Sequence, residues 1–348
     1  MPYGQVLVDT VKDSLNNVLA PASAVFRNRI INGAMVIDQR NAGASVTIPA
    51  TTVTYTVDRF YAYGTQASKF TVQQNAGSVT PPTGYTNYLG VTSSSAYAVT
   101  STDQFIINQA IEGYNASDLA WGTANAKTVT LSFQVYSSLT GTFAGGIING
   151  NSNRSYPFTF SIPTANTWTP ISVTIAGDTT GTWATTNTAG INITFSLGAG
   201  STFQSTANTW AAGNYKSVSG ATSVVGTSGA TFYLTAVQLE VGTNASNFDY
   251  RPYGTELALC ERYYQSLNPI SVFSYFSGAS QSIIQNYTFP VTMRAAPTVT
   301  ITSNGTTSNF SSIGNLGTTV NGASIQVVGA GAGQGGCYNA VGNAAIEL

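Results

Sequence analysis

Apolar and polar side chains alternate with a period of two between residues 232 and 241, where the sequence reads FYLTAVQLEV. Both alternating sets are apolar at the start of this segment, and only one set is apolar towards its end. A period of two predicts a β-strand, and a strand that is apolar on both faces belongs to the interior of a protein. We therefore predict that residues 232–241 form a central strand of a β-sandwich.

Shorter patterns of the same kind occur along most of the chain before this strand, separated by Gly, Asn, Thr and Pro, which form turns. The strands that they predict are 30–38, 45–48, 54–63, 70–74, 88–91, 104–111, 128–136, 143–148, 156–162, 169–175 and 191–197. Evenly spaced strands with almost no helix favour two packed antiparallel sheets of jelly-roll type. We therefore predict an all-β chain with a jelly-roll β-sandwich over residues 28–253.

A short helix is predicted directly after the sandwich. The sequence Arg-Pro-Tyr-Gly at 251–254 ends the last strand, because proline cannot donate a hydrogen bond to a sheet. Thr255 is a candidate N-cap for a helix over 255–266. The apolar face of this helix would consist of Leu257, Leu259, Cys260, Tyr263 and Tyr264. Residues 254–268 are thus predicted to be a helical connector.

A second, smaller β-sandwich is predicted for residues 269–348, with strands at 271–277, 282–290, 297–302, 323–328 and 344–348. The only charged residues after Arg262 are Arg294 and Glu347. A domain with so few charges lacks the usual protection against association, so we expect copies of the chain to cover much of its surface. The segment GAGQGG at 331–336 opens no helix, so we interpret it as a tip loop beside Tyr338 and Asn339 and not as a nucleotide site.

Residues 1–27 carry four charges in a mixed pattern and are too few to bury a core of their own. We interpret them as an arm that attaches the chain to a partner; the alternative is a terminal strand of the main sandwich. No basic region followed by an apolar run is present at the N-terminus, and no apolar stretch is long enough for a membrane span. We therefore expect synthesis in a cytoplasm, with Cys260 and Cys337 reduced.

The composition narrows the range of functions. Charged residues make up 7% of the chain, the net charge is -1, and there is no histidine. A nearly neutral surface does not attract nucleic acid or an anionic membrane, so we expect neither as a partner. Without histidine the commonest general base and the commonest metal ligand are missing, and we expect no metal site and no cofactor. A surface of hydroxyl and amide groups suits a virion part or a protein that binds neutral sugars.

Catalysis would have to rely on a pair of carboxylic acids, as in a glycosidase. The candidates are Asp103, Glu112, Asp118, Asp178, Glu240 and Asp249. Scattered acids of this kind are typical of turns, caps and ion pairs. We therefore expect a protein that is not an enzyme, with a polysaccharide depolymerase as the alternative.

A saccharide site needs an aromatic ring that stacks on a sugar and amides that exchange hydrogen bonds with its hydroxyl groups. The candidates in the C-terminal domain are Tyr275, Phe276, Tyr338, Asn304, Asn309 and Asn339, and those in the sandwich are Trp183 and Trp210. The alternative for each aromatic residue is packing in a core or in a subunit interface.

Four sequence blocks carry a resemblance to a known family. They are NRIINGAMVIDQRN at 28–41, IEGYNASDLAW at 111–121, INITFSLGAGST at 191–202, and VQLEVG at 237–242 followed by FDYRPYGTELALCERYY at 248–264. In this order they resemble bacteriophage and prophage tail-fibre, or receptor-binding, proteins with a carbohydrate-binding-module-like jelly-roll sandwich. The resemblance covers about residues 28–265 and is looser in the last third of the chain.

This resemblance implies a homotrimeric tail fibre whose tip binds a host surface polysaccharide and whose residues 1–27 join a tail or baseplate protein. The helices would meet near the threefold axis, with Leu257, Cys260 and Tyr264 as the contacts. The chain would belong to the virion, after synthesis in the host cytoplasm and release by lysis. The alternatives are a purely structural tail or baseplate subunit that binds another virion protein, and a cellular sugar-binding module.

Overall fold

The computed structural model describes residues 27–348 and, ahead of them, one antiparallel pair of two-residue strands, Val11–Lys12 (β1) and Val18–Leu19 (β2). Apart from these strands and Arg27, the predicted attachment segment 1–27 lies outside the described residues. The described part is almost entirely β-structure, which confirms the predicted all-β class. None of its helices has the length and apolar character needed to cross a membrane.

Two antiparallel sheets form the larger sandwich. Its strands are Val46–Thr47 (β3), Thr54–Tyr55 (β4), Phe60–Gly64 (β5), Phe70–Gln74 (β6), Leu89–Ser93 (β7), Gln104–Glu112 (β8), Val129–Ser137 (β9), Gly141–Asn149 (β10), Arg154–Ile162 (β11), Thr169–Ile175 (β12), Ala189–Ala199 (β13), Ala211–Ala212 (β14) and Thr231–Val241 (β15). The strand orders are β14-β11-β10-β13-β8-β5-β4 and β12-β9-β15-β7-β6-β3. Short 3-10 helices lie at Ala76–Ser78, Gly113–Asn115, Ser117–Leu119 and Ser201–Phe203. The predicted sandwich of jelly-roll type is confirmed.

Strand β15 lies at the centre of the six-stranded sheet, between β9 and β7, as its apolar alternation predicts. Aromatic rings from the two sheets meet between them. The ring centroids of Phe232 and Phe143 are 5.9 Å apart, and those of Phe133 and Phe195 are 5.1 Å apart. Full burial of one such side chain contributes about 1.5–3 kcal/mol, so this aromatic layer stabilises the pairing of the sheets.

Residues 27–45 form no strand, so the strand predicted over 30–38 is wrong. Asn32 and Met35 both have φ of +59°, a left-handed conformation that interrupts a strand. The side-chain amide of Asn28 instead donates to Val237 O at 3.0 Å and accepts from Leu239 N at 3.0 Å. These side-chain hydrogen bonds hold the segment against β15, together with two isolated backbone bonds, from Arg29 N to Leu239 O at 3.0 Å and from Val237 N to Gly33 O at 2.9 Å.

One α-helix is present in the described residues, Tyr253–Glu261 (α1), at the predicted connector. It begins before the predicted N-cap Thr255 and ends at Glu261, short of the predicted residue 266. Pro252 occupies the N-cap position, and its carbonyl accepts a hydrogen bond from Thr255 N at 2.9 Å. Tyr264 begins a strand, so the predicted helical connector 254–268 is part helix and part sheet.

A smaller two-sheet unit follows, and we call residues 264–348 the tip. Its strands are Tyr264–Phe276 (β16), Ser282–Thr288 (β17), Thr298–Ser303 (β18), Thr306–Ser308 (β19), Phe310–Thr319 (β20), Gly322–Gly329 (β21) and Gly333–Ala345 (β22). One sheet has the order β16-β22-β18, with β19 also paired to β22, and the other has the order β17-β21-β20. Buried side chains such as Val272, Phe276 and Ile325 fill the space between them.

Both charged residues of the tip lie at its junction with the sandwich. Arg294 donates hydrogen bonds to the carbonyl oxygens of Asn187, Ile346 and Glu347, each at 2.8 Å. The Glu347 carboxylate pairs with Arg40 and Arg59 of the sandwich. The remaining surface of the tip is therefore uncharged.

Candidate functional site

A patch of side chains covers the outer face of the four-stranded tip sheet, where β16, β22 and β19 run side by side. Phe273 lies opposite Gly336, and Gly336 lies opposite Ser308. Residues directly opposite each other share a face, and so do residues two positions apart along a strand. The patch, which we call the tip face, consists of Phe273, Tyr275, Thr306, Ser308, Gln334, Gly336 and Tyr338.

Gly336 forms the floor of the tip face. Its φ is +147°, and a Cβ atom at this position would lie 2.0 Å from the carbonyl oxygen of Val272. No other residue fits there without moving β16 away from β22. The centre of the patch consequently carries no side chain, and the buried Gly336 backbone lies between Phe273 and Ser308.

Three aromatic rings rise above this floor. Phe273, Tyr275 and Tyr338 expose 44%, 65% and 41% of their surface. The rings of Phe273 and Tyr338 are 5.1 Å apart and inclined by 32°. Large aromatic side chains that remain exposed together in a charge-free region are typical of a binding surface.

Polar groups complete the rim of the tip face. Thr306, Ser308 and Gln334 are exposed, and within residues 27–348 their side chains make no hydrogen bond to the protein. They can therefore donate to and accept from a ligand without first breaking an internal bond. Together with the rings they supply stacking surfaces and neutral hydrogen-bonding groups, and no ionic contact.

The structure brings together some of the residues that were predicted to bind a saccharide in the C-terminal domain. Tyr275 and Tyr338 share the tip face, and Asn339 is exposed beside them, with its backbone N–H donating to Ser271 Oγ at 3.1 Å. Asn304 is exposed in the turn between β18 and β19. The Asn309 amide instead donates to Gly331 O at 2.9 Å and to Gly333 O at 3.2 Å, which gives it a role inside the fold.

Two expectations about this region are corrected by the structure. Phe276 is fully buried and packs beneath Gly329, so it cannot contact a ligand. The predicted loop at 331–336 is largely the start of strand β22. The sequence analysis missed the hydroxyl residues of β19, because sequence alone did not indicate that β19 lies beside β22. It also missed Phe273, whose outward direction depends on the irregular register of β16.

Trp183 and Trp210 also lie together, but they face one another and Trp121 edge-on. The three ring centroids are separated by 4.8, 5.4 and 5.5 Å. Each indole N–H donates to a backbone carbonyl, at 3.2 Å for Trp183 and 2.8 Å for Trp210. These half-buried rings pack against one end of the sandwich core, and both of their indole N–H groups are used in internal hydrogen bonds.

The residues expected to meet at a threefold axis are packed within the chain. Cys260 is buried against Ile31, Ile37 and Tyr263, and Leu257 is half-buried at the edge of this cluster. Tyr264 is buried beneath the Arg40 guanidinium, which lies 3.7 Å from its ring centroid. Contacts inside one chain therefore occupy Cys260 and Tyr264, which leaves no surface of these two side chains for a second copy.

The six candidate acids all accept hydrogen bonds from neighbouring groups. Their partners are Thr100 for Asp103, Arg262 for Glu112, Arg29 for Asp118, Arg154 for Asp178, Ser246 for Glu240 and the Asn28 backbone for Asp249. Burial alone would raise the pKa of the first four, but hydrogen bonds from their partners outweigh this effect and lower the pKa. A general acid needs the opposite shift, so these four carboxylates have the character of structural groups.

Residues 27–348 contain no cluster of three or more His, Cys, Asp and Glu that could hold a metal ion.

A second uncharged surface lies on the outer face of the six-stranded sheet. It is a groove of 320 Å³ between β9, β12 and the segment that contains Phe248. Tyr85 and Phe248 form one wall, with their ring centroids 5.5 Å apart. Ser132 and Gln134 on the floor make no side-chain hydrogen bond within the described residues. The groove thus offers the same neutral chemistry as the tip face, with fewer exposed rings.

No protein-family model matches the chain, and no curated protein matches it. Among solved structures, it is similar to the enzymatically active domain of tailspike protein 4 of bacteriophage CBA120, with 13% identity and a TM-score of 0.32, over 62% of this chain and 22% of that one.

Two carbohydrate-binding modules are similar as well. The family 11 module from Clostridium thermocellum, in complex with a β-1,3-1,4-mixed-linked tetrasaccharide, has 11% identity and a TM-score of 0.27, over 58% of this chain and 98% of that one. The N-terminal cellulose-binding domain of Cellulomonas fimi β-1,4-glucanase C has 16% identity and a TM-score of 0.25, over 53% and 90%. Identities and TM-scores as low as these do not assign a function to this chain.

Proposed function

We propose that this chain is the receptor-binding subunit of a phage tail fibre and that its tip face binds an uncharged polysaccharide on the host cell surface. The observation that supports this best is the set of three exposed rings around Gly336, a position that has no side chain. The C–H faces of a sugar ring stack on aromatic side chains, and its hydroxyl groups exchange hydrogen bonds with hydroxyls and amides. The tip face supplies both kinds of group.

A shallow face of this kind binds a single sugar weakly. A virion presents many copies, and a polysaccharide presents the same sugar repeatedly, so several weak contacts act together. In this proposal residues 1–27 join the chain to the tail or baseplate, and the tip lies at the far end. The chain is made in the host cytoplasm and acts outside the cell after lysis.

Two other functions are distinguishable from adhesion. A purely structural tail subunit would use the tip face to bind another virion protein, since exposed rings also suit a protein interface. A depolymerase would need two carboxylic acids free to act on a glycosidic bond, and the hydrogen-bonded acids described above do not favour this. The groove beside Gln134 is a second candidate place for the same class of neutral glycan.

The test is the binding of the purified chain to host surface polysaccharide, measured by biolayer interferometry and by competition with phage adsorption. We expect Tyr338→Ala and Phe273→Ala to weaken binding about tenfold each, which corresponds to about 1.4 kcal/mol. Leu316→Ala is the matched control, because Leu316 is also exposed in the tip but belongs to the other sheet. Gln134→Ala tests the groove in the same assay.

Three outcomes would contradict the proposal. The first is binding to a virion protein, with no binding to host polysaccharide. The second is the appearance of shorter glycan chains during incubation, which would indicate a depolymerase. The third is full polysaccharide binding by both aromatic variants with a loss on Gln134→Ala, which would place the glycan in the groove.

A further inference from the structure

The edges of the two tip sheets differ in how well they are protected against pairing with another strand. On β16 the register with β22 shifts on both sides of Ile270. The opposite edge of that sheet is divided into β18 and β19, with a further shift after Ile301. On β20 the register with β21 shifts twice, next to Ser312 and next to Gly317. Bulges and breaks of this kind prevent edge-to-edge association.

Strand β17 has none of these protections. It pairs with β21 over seven consecutive residues, from Ser282 opposite Val328 to Thr288 opposite Gly322, without a register shift. Its sequence, SIIQNYT, contains no charge, proline or glycine. Within residues 27–348, no backbone hydrogen bond joins 282–288 to any strand except β21. Such an edge presents unpaired N–H and C=O groups as a template for another strand.

We propose that β17 pairs antiparallel with β17 of a second copy of this chain, about a twofold axis at Gln285. In this register Ile283 lies opposite Tyr287 of the second copy, an aromatic and β-branched pair that stabilises sheets. Ile284, which is 51% exposed in the single chain, lies opposite Asn286 and is partly covered. The two three-stranded sheets become one continuous six-stranded sheet.

The chemistry of the edge favours a second copy over a different protein. Like charges directly opposite each other destabilise an antiparallel pair, and twofold symmetry places the residue on the axis opposite its own copy. No charged residue is present in β17 or elsewhere in the tip away from the junction, so two identical edges meet without repulsion. Self-complementary contacts about a twofold axis are the commonest kind in homo-oligomers. The tip face lies on the other sheet and stays open in such a pair.

The test is the particle mass of the full chain, measured by analytical ultracentrifugation. We expect an even number of chains for the wild type: two, or six if the trimer expected from the sequence also forms. Gln285→Lys and Gln285→Glu each place like charges face to face on the axis and should halve the mass. A mixture of these two variants should restore it, because lysine then faces glutamate. Ser311→Lys on β20 is the matched control and should leave the mass unchanged.

The complementary mixture separates a specific pairing from a loss of folding, since misfolded variants cannot rescue one another. An odd number of chains in the wild type would overturn the proposal. So would Gln285→Lys and Gln285→Glu variants with the wild-type mass, or a mixture of the two that does not regain it.

Discussion

The guanidinium of Arg262 holds the carboxylate of Glu112 with two hydrogen bonds, at 2.9 Å from Nε to Oε2 and at 2.6 Å from Nη2 to Oε1. Tyr263 adds a third, from its hydroxyl to Oε2 at 2.7 Å. Burial alone would raise the pKa of Glu112, but the hydrogen bonds and charge of Arg262 outweigh this effect and lower the pKa. Glu112 ends β8 and Arg262 precedes β16, so this contact fixes the tip to the sandwich.

We expect Glu112→Gln to destabilise the chain by about 2 kcal/mol. Removing one member of a fully buried pair costs about 3–5 kcal/mol, and we reduce this value because Arg262 keeps 31% of its side chain exposed. The measurement is urea denaturation followed by tryptophan fluorescence. Asp118→Asn is the control, since Asp118 forms a similar pair with Arg29 but is 54% exposed, and it should cost less than about 1 kcal/mol. Equal losses in the two variants would contradict the assignment of Glu112 to the junction.

Asp58 gives the stability of the chain an unusual dependence on pH. Its carboxylate is buried and accepts hydrogen bonds from Gln39, at 3.1 Å from the backbone and at 2.6 Å from the side chain. Burial raises the pKa of Asp58 from 3.8 to about 7, although the Gln39 bonds oppose the shift. Between about pH 4 and 7 the folded state therefore keeps a proton that the unfolded state has lost. The contribution of Asp58 to the free energy of unfolding therefore falls as pH rises through that range, by up to about 1.4 kcal/mol per pH unit.

We expect Asp58→Asn to remove this contribution, since asparagine does not titrate. The variant should gain stability relative to the wild type as pH rises from about 4 to 7, with little further change above the folded-state pKa. Urea denaturation of both proteins at several pH values measures the difference. If the unfolding free energies of the two proteins change with pH in parallel across this range, Asp58 ionises in the folded chain as it does in the unfolded one.

The larger sandwich was predictable from sequence because most of its strands keep an uninterrupted period of two. Strand β12 was predicted with its observed bounds, and β15 was predicted to within one residue. The strand predicted over residues 30–38 is wrong because apolar side chains are frequent there although the backbone is not extended. Asn32 and Met35 take left-handed conformations that side-chain amides stabilise. A pattern of side chains does not show such local hydrogen bonding.

The candidate site was harder to predict because β16 has one extra residue between Leu267 and Ile270, and β22 has one between Cys337 and Ala340. Leu267 and Ile270 both point inward although they are three residues apart, and Phe273 then faces out while Phe276 faces in. One extra residue in a strand moves all later side chains to the other face. Strand β22 was missed over residues 333–343, since the predicted strand 344–348 overlaps only its end. Glycines at 333, 335 and 336 carry no side chain whose alternation could be seen.

The packing of Trp210 predicts an effect on stability and none on binding. Its indole N–H donates to Ala176 O at 2.8 Å, and its ring meets Trp121 and Trp183 edge-on. We expect Trp210→Phe to lose about 1–2 kcal/mol of unfolding free energy, because the hydrogen bond and part of the ring contact disappear. Polysaccharide binding should stay at the wild-type level. A variant that has the unfolding free energy of the wild type but no longer binds polysaccharide would show that Trp210 contacts the ligand.

The absence of charge on the tip face predicts binding that does not depend on salt. Salt weakens ionic contacts, whereas stacking and neutral hydrogen bonds contain no charges to screen. The only charges of the tip, on Arg294 and Glu347, are held in the junction. We expect the affinity for a neutral host polysaccharide to change less than about twofold between about 50 and 500 mM NaCl. The control is Ser308→Lys, which places a cation on the rim: it should acquire affinity for an acidic polysaccharide, and that affinity should disappear at high salt. Wild-type binding that weakens steeply with salt would mean that the ligand is held at a charged surface elsewhere on the chain.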